Sequence, residues 1–362
     1  MKILVACTQY PYYGGAATNA YALIKTLRER GHDVCGLFFE NSNANCDPDA
    51  IGCIIRSQAG KEGRNLLCKK IKVILGGMPD AILAKNYAAP VYCRKLFPKT
   101  KIVYLVSGSP LMTHLSEFDI SAVKYLKLNT SQVEKKIKKK IYNSSELSAI
   151  KCSNFVLTNS RVSRDVFVKT YSTYLKNKKV LSPLDTSILI NNNSKRKKNF
   201  NERDVDIAFI CSRFSRSVKN AKFAKKIFRD KSLAGKSKLI IGAESNSFAN
   251  IPGIMIKDKM KHANIMKYLL RVKLVICPSY FDASPNVIKE ATFSGCNILV
   301  SRNCGWSETY DAKSVCADVY DAKEWTRKIE YLCKNKLNYP NINNKKNILT
   351  SLELLIIKAI KS

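Results

Sequence analysis

The sequence predicts two α/β domains in tandem, each a parallel sheet covered by helices on both faces. Three observations carry this. The chain has 362 residues, about right for two domains of roughly 150 each. Apolar runs of strand length alternate with amphipathic stretches twice over. The two series are separated by NNNSKRKKNFNERD at 191–204, which is charged, polar and without periodicity, as a linker is.

The elements follow in order. KILVAC at 2–7 reads as a buried strand, followed by a loop with Gly14 and Gly15. A helical period through Tyr21, Ile24 and Leu27 runs until Gly31 stops it, and VCGLFF from Val34 is the next strand. Further strands are expected at 81–84, 101–107 and 154–160, with basic helical stretches between them. The linker is placed at 186–204, which leaves an amino-terminal domain over 1–185. Beyond it, strands are expected at 205–211, 238–242, 274–277 and 297–301, and helices at 219–230, near 261–270, at 286–294 and near 321–334. This second domain covers 205–335, and a helical tail covers 336–362. Two such halves imply a cleft between them, with ligands at the carboxyl ends of the strands.

Composition narrows the class. Hydrophobic residues make up 46% and charged residues 25%, which excludes a disordered chain or a coiled coil. Lys plus Arg number 62 against 28 Asp plus Glu, a formal net charge of +34. Such an excess fits an anionic partner, and also fits an AT-rich gene, because 47 of the 62 are Lys and Asn is abundant. Thirteen cysteines, an odd number, sit singly in apolar runs such as those ending at Cys7, Cys211 and Cys277. They read as buried thiols in a reducing compartment, hence a cytoplasmic protein. His32, His114 and His262 lie far apart and no CxxC pair occurs, so neither a metal nor another cofactor is expected. No apolar stretch approaches the ~18 residues of a membrane span, and the first apolar run is too short for a secretion signal.

The most informative segment is PSYFDASPNVIKEATFSGCNILVSRNCGWSE, 278–308. Ser284 and Pro285 suit an N-cap and first turn, and Gly295 suits the stop, so a short helix opens directly after a strand and loop. First-turn amides, those of Asn286 and Val287 among them, with the positive end of the helix dipole, suit phosphate oxygens. Val287, Ile288 and Ala291 suit packing on the sheet, which leaves Asn286 and Glu290 on another face. At 1.5 Å per residue Glu290 lies roughly 7–8 Å from the helix start, about the distance from a pyrophosphate to the far edge of its ribose. A carboxylate there accepts both ribose hydroxyls. Asp282, in the preceding loop, lies toward the sugar end of such a ligand.

This pattern, D-x7-E with SPNV inside it and EA after it, then a strand and CGWSE, resembles the family 4 retaining glycosyltransferases of GT-B fold. Met1 to Val34 resembles their first βαβ unit, with Gly15 in its Gly-Gly loop, and NSRVSRDVF at 159–167 followed by LSPLDTS resembles their approach to the interdomain crossing. ICSRFSRSVKN at 210–220 resembles the strand, Arg, loop and Lys that open their second domain. The resemblance implies two Rossmann-like domains facing a cleft. It also implies transfer of a hexose from a nucleotide-diphosphate sugar to a hydroxyl acceptor, a glycan or a lipid-linked one, with retention of configuration. Arg213 and Lys219 match the cations that hold the donor pyrophosphate, and Glu290 matches the ribose ligand. Asp282 stands where the family usually has Glu against the donor sugar, and Ser107 where many relatives have His. With the helix start at Ser284, Asn286 and Val287, two cations make a metal unnecessary.

Two other classes stand beside this one. A sugar-nucleotide epimerase shares the architecture and needs no acceptor. A nucleic-acid binder would use the charge, but the excess is Lys rather than Arg, and no RNP-like aromatic pattern or zinc-finger spacing occurs. The run 123–140, VKYLKLNTSQVEKKIKKK, holds seven Lys and one Glu. It reads as a solvated helical face or as a peripheral contact with anionic lipid.

Overall fold

The computed structural model describes residues 1–8, 15–38, 50–52, 60–175, 179–181, 199–339 and 345–361. The first sheet comprises β1 (Lys2–Cys7), β2 (Asp33–Phe38), β3 (Ala50–Gly52), β4 (Ala81–Lys85), β5 (Lys101–Val106), β6 (Phe155–Thr158) and β7 (Lys179–Leu181). Its order is β3-β2-β1-β4-β5-β6-β7, parallel throughout. Its helices are α1 (Gly15–Glu29), α2 (Lys61–Leu75), α3 (Ala88–Leu96), α7 (Ser144–Cys152) and α8 (Arg161–Tyr171), while α4 (Pro110–Ser116), α5 (Ala122–Lys127) and α6 (Thr130–Ile137), which lie between α3 and α7 in the chain, belong to the other unit. The second sheet comprises β8 (Val205–Arg213), β9 (Lys238–Ala243), β10 (Ile254–Lys257), β11 (Val272–Cys277), β12 (Asn297–Ser301) and β13 (Val315–Cys316). Its order is β10-β9-β8-β11-β12-β13, again parallel. Its helices are α9 (Ala221–Phe228), α10 (His262–Leu269), α11 (Asn286–Phe293) and α12 (Ala322–Lys334), and α13 (Lys345–Lys361) closes the described chain.

Both sheets are buried on both faces, which is why their strands read as continuous apolar runs. On β1, Ile3, Val5 and Cys7 face Leu23, Ile24 and Leu27 of α1, while Leu4 and Ala6 face Leu67, Ile71 and Leu75 of α2. In the second sheet Phe209, Ile240 and Ile276 meet Phe223, Ile227 and Trp325, and Val275, Ile298 and Val300 meet Ile288 and Ala291 of α11. The expected helix at 219–230 begins later: Ser217–Lys219 is a 3₁₀ turn, and Asn220 takes a left-handed φ of +56° before α9. At the end of β8 the register with β9 shifts between Ile210 and Arg213. Gly242 makes this approach possible, since a Cβ there would lie 2.1 Å from the Cys211 carbonyl oxygen.

The chain forms two compact units, neither contiguous in sequence. One joins Met1–Ser109, Ile141–Asn191 and Asn343–Ser362; the other joins Pro110–Lys140 and Asn192–Ile342. This differs from a simple division at 186–204 in two places, each with a packing reason. Helix α13 returns to the first unit, where Leu352 and Ile356 enter the core with Ile3, Val5, Leu83 and Val103. Glu353 there accepts from Arg30, Nη2 to Oε2 at 2.6 Å, and pairs with His32 at 3.0 Å. Residues 110–140 pack with the second unit through Ser217, Tyr280 and Asn303.

Candidate functional site

The second sheet reverses its strand order between β8 and β11, the kind of switch point at which open parallel sheets take ligands. Lys219 follows β8 and Asp282 follows β11, so two residues 63 apart in sequence meet there, Nζ to Oδ2 at 2.5 Å. Both side chains are only 16% exposed. Asp282 Oδ1 also accepts from the Ser284 amide at 3.2 Å. The third loop, after β12, fixes Asp282 from the other side: its amide donates to Asn303 O, and Gly305 N donates to its carbonyl at 2.7 Å. Burial works against the Lys219 charge, but the Asp282 carboxylate and the nearby Cys277 and Cys211 sulfurs outweigh it and raise its pKa. The Cys277 and Cys304 sulfurs lie 3.6 Å apart, and burial pushes the Cys211 thiol up to about 12.

Helix α11 starts one residue later than the sequence suggests. Pro285, in extended conformation, occupies the N-cap and makes no side-chain cap bond. The reason is that Ser284 is engaged otherwise: its amide goes to Asp282 and its hydroxyl accepts from Lys289 Nζ. Asn286 is thus the first helical residue, followed by the half-buried Val287, which packs beside Ile288 and Ala291. Glu290 is not on an open face. It is 8% exposed and receives His262 Nε2, from the first residue of α10, at 3.1 Å on Oε1. That hydrogen bond raises the His262 pKa, against a smaller opposing effect of burial.

Lys219, Asp282, Ser284 and, through α11, Asn286, Val287 and Glu290 therefore share one end of one sheet. Arg213 does not join the Lys219–Asp282 pair: it ends β8 with its side chain 62% exposed, and its Nε is 3.7 Å from Glu244 Oε1. Gly15 opens α1 in the first unit, and Gly14 lies outside the described residues. Sequence reasoning missed His262 as the partner of Glu290, having weighed it only as a metal ligand. Among the described residues no group of three or more His, Cys, Asp or Glu is arranged to hold a metal ion. In 123–140 all seven lysines are exposed, whereas Tyr125, Val133 and Ile137 are buried. Among the described residues no helix is long and apolar enough to cross a membrane.

Solved structures place the architecture. The catalytic domain of starch synthase IV from Arabidopsis thaliana, bound to ADP and acarbose, superposes with TM-score 0.63 at 12% identity over 100% of both chains. An alpha-glucosyltransferase in complex with UDP and a 13-mer DNA gives 0.63 at 13% over 99% of both chains. WaaG, a glycosyltransferase involved in lipopolysaccharide biosynthesis, gives 0.57 at 14%, covering 92% of this chain and 90% of that one. Two parallel-sheet α/β units of this kind are the GT-B fold of glycosyltransferases. Residues 191–348, which contain Lys219, Asp282 and Glu290, match the family model described as glycosyl transferases group 1. No curated protein matches the chain.

Proposed function

We propose that the protein transfers a hexose from a nucleoside-diphosphate sugar to a hydroxyl of a glycan or lipid-linked acceptor, with retention at the anomeric carbon. The observation that carries this is the Lys219–Asp282 pair at the strand-order reversal, with the start of α11 and Glu290 on the same side. The ADP and UDP bound by two of the similar structures support a nucleotide ligand for this fold.

The roles follow from charge. Lys219 lies between a strand end and a helix start, where a desolvated diphosphate needs a cation. As the bond from sugar to phosphate breaks, negative charge grows on the leaving diphosphate, so Lys219 stabilises the transition state more than the ground state. An oxygen of the leaving diphosphate accepts the proton of the attacking hydroxyl, and no side-chain nucleophile is required. Asp282, relieved of Lys219 by the arriving phosphate, accepts hydroxyls of the sugar. Arg213 exchanges exposed Glu244 for the diphosphate, and Glu290 takes the ribose with His262 behind it. For a lipid-linked acceptor, the exposed lysines of 123–140 meet anionic headgroups chiefly by charge, since Tyr125, Val133 and Ile137 are turned inward and Val123, Leu126 and Leu128 are only half-exposed; added salt weakens such contact.

A thermal-shift screen of nucleoside diphosphates and their sugars tests the reading, because a ligand at 100 times its Kd stabilises the fold by roughly 2.7 kcal/mol. Glu290→Ala is expected to weaken the selected diphosphate by roughly 1.5–3 kcal/mol while the protein stays folded. No stabilising nucleotide, or unchanged affinity in the variant, removes the assignment.

A further inference from the structure

A stretch from the first half of the sequence touches all three loops that build the site. Ser116 Oγ donates to Ser217 Oγ at 2.7 Å, and Ser217 Oγ donates to the Thr113 carbonyl at 2.9 Å, two residues before Lys219. The Ala122 amide donates to the Tyr280 carbonyl and the Tyr280 amide to that of Val218, both at 2.9 Å. The Val123 amide donates to Asn303 Oδ1 at 2.8 Å, and the Asn303 carbonyl receives the Asp282 amide at 3.3 Å.

Asp119 is the centre of this contact. Its Oδ1 accepts from the Tyr280 hydroxyl at 2.7 Å and its carbonyl from the Tyr320 hydroxyl at 2.5 Å, while the two rings lie 5.8 Å apart. Asp119 has a left-handed φ of +54°, a conformation that Asp and Asn tolerate better than other side chains. Tyr280 is 7% exposed and stands two residues before Asp282. Burial, then the Asp119 carboxylate, raises the phenol pKa, so its hydroxyl remains a donor.

We propose that Asp119 is a positioning residue, which by holding the Tyr280 hydroxyl keeps the Asp282 loop against Lys219 and the loop after β12. The inference deepens the functional reading and rests on it for the role of Asp282. The brace itself is independent of any donor. It ties the segment that follows β5 to the sugar end of the site, so the accuracy of Asp282 depends on a residue more than 160 positions earlier.

The test is amide hydrogen exchange in the full-length protein, with Tyr280→Phe, Asp119→Gly, which keeps the left-handed backbone, and Asp119→Asn, which keeps an oxygen acceptor. Exchange of the Asp282 and Gly305 amides is expected to quicken ~10-fold in the first two, the loss of one hydrogen bond, and to stay at the wild-type rate in Asp119→Asn. Amides of Leu239–Ile241 in β9 serve as the unmoved control. With the donor selected by the nucleotide screen, the first two variants should lose kcat while the Kd for its bare diphosphate holds. Unchanged exchange overturns the brace, and quickened exchange with unchanged kcat overturns the positioning role. If no nucleotide stabilises the wild type, the functional reading fails while exchange still decides the brace.

Discussion

Replacing Lys219 by Met takes the cation from Asp282 and leaves a carboxylate 16% exposed, with the Ser284 amide as a remaining donor at 3.2 Å. Breaking a buried ion pair from one side costs about 3–5 kcal/mol. Residual solvent access and the retained hydrogen bond reduce that to about 2–3 kcal/mol, or roughly 5–10 °C in Tm for a unit of this size. Asp282→Asn in the same chain should restore most of the loss, because a neutral amide does not require the ammonium. The raised Lys219 pKa sets the pH window: the contribution is complete below the unfolded value of 10.5 and is lost only in stronger alkali, so the gap between wild type and Lys219→Met should be constant between pH 7 and 9. Urea unfolding of the wild type, both single variants and the double variant gives the coupling energy directly. If Lys219→Met loses under ~0.5 kcal/mol, or the double variant falls as far as the two singles combined, the pair is not held as described. A kinetic defect of Lys219→Met then has to be read beside Asp282→Asn, since each residue's freedom depends on the other.

Three further outcomes are expected. Glu146 of α7, 1% exposed, accepts from Tyr104 OH at 3.2 Å and Tyr171 OH at 2.6 Å, and burial pushes its carboxyl from 4.5 up to about 7. Its contribution to stability is complete below 4.5 and lost as pH rises to about 7, an expected decline of about 3 kcal/mol that Glu146→Gln should flatten in urea titrations. The His262 pKa, raised chiefly by its hydrogen bond to Glu290, should fall back toward 6.5 in Glu290→Gln by NMR titration; in the wild type the pair's contribution is complete below 6.5 and fades as pH passes the raised value. Ile356→Ala, at a fully buried position of α13, should cost about 2–5 kcal/mol and speed proteolysis at 343–361; an unchanged digestion rate would contradict the packing of this helix.

The central strands were legible because each is buried on both faces and so appears as an unbroken apolar run. The strands that escaped, β3, β7, β10 and β13, are the four sheet edges, two to four residues long, too short to leave a pattern. Glu290 was legible by its spacing from the helix start, yet its burial was not, since the covering residue is His262, 28 positions earlier. Asp282 and Lys219 each stood out locally. Their contact depends on β8 and β11 being neighbours, a fact of strand order rather than of either segment. The basic run at 123–140 showed its charge plainly, but an apolar spacing of Tyr125, Val133 and Ile137 says only that something is covered, not which unit covers it.

The return of α13 to the first sheet bears on how the protein is made. Ile3 and Val5 are synthesised about 350 residues before Leu352 and Ile356, which complete their core. At roughly 5–20 residues per second, one face of β1, β4 and β5 waits roughly 20–70 s for its final cover. The chain crosses between units four times, so the second unit is likewise assembled from segments synthesised far apart. During that interval α1 covers part of this face and the rest stays open to solvent, to a chaperone or to a transient non-native contact, and a chain cut short near residue 340 would lack the helix that completes its first core.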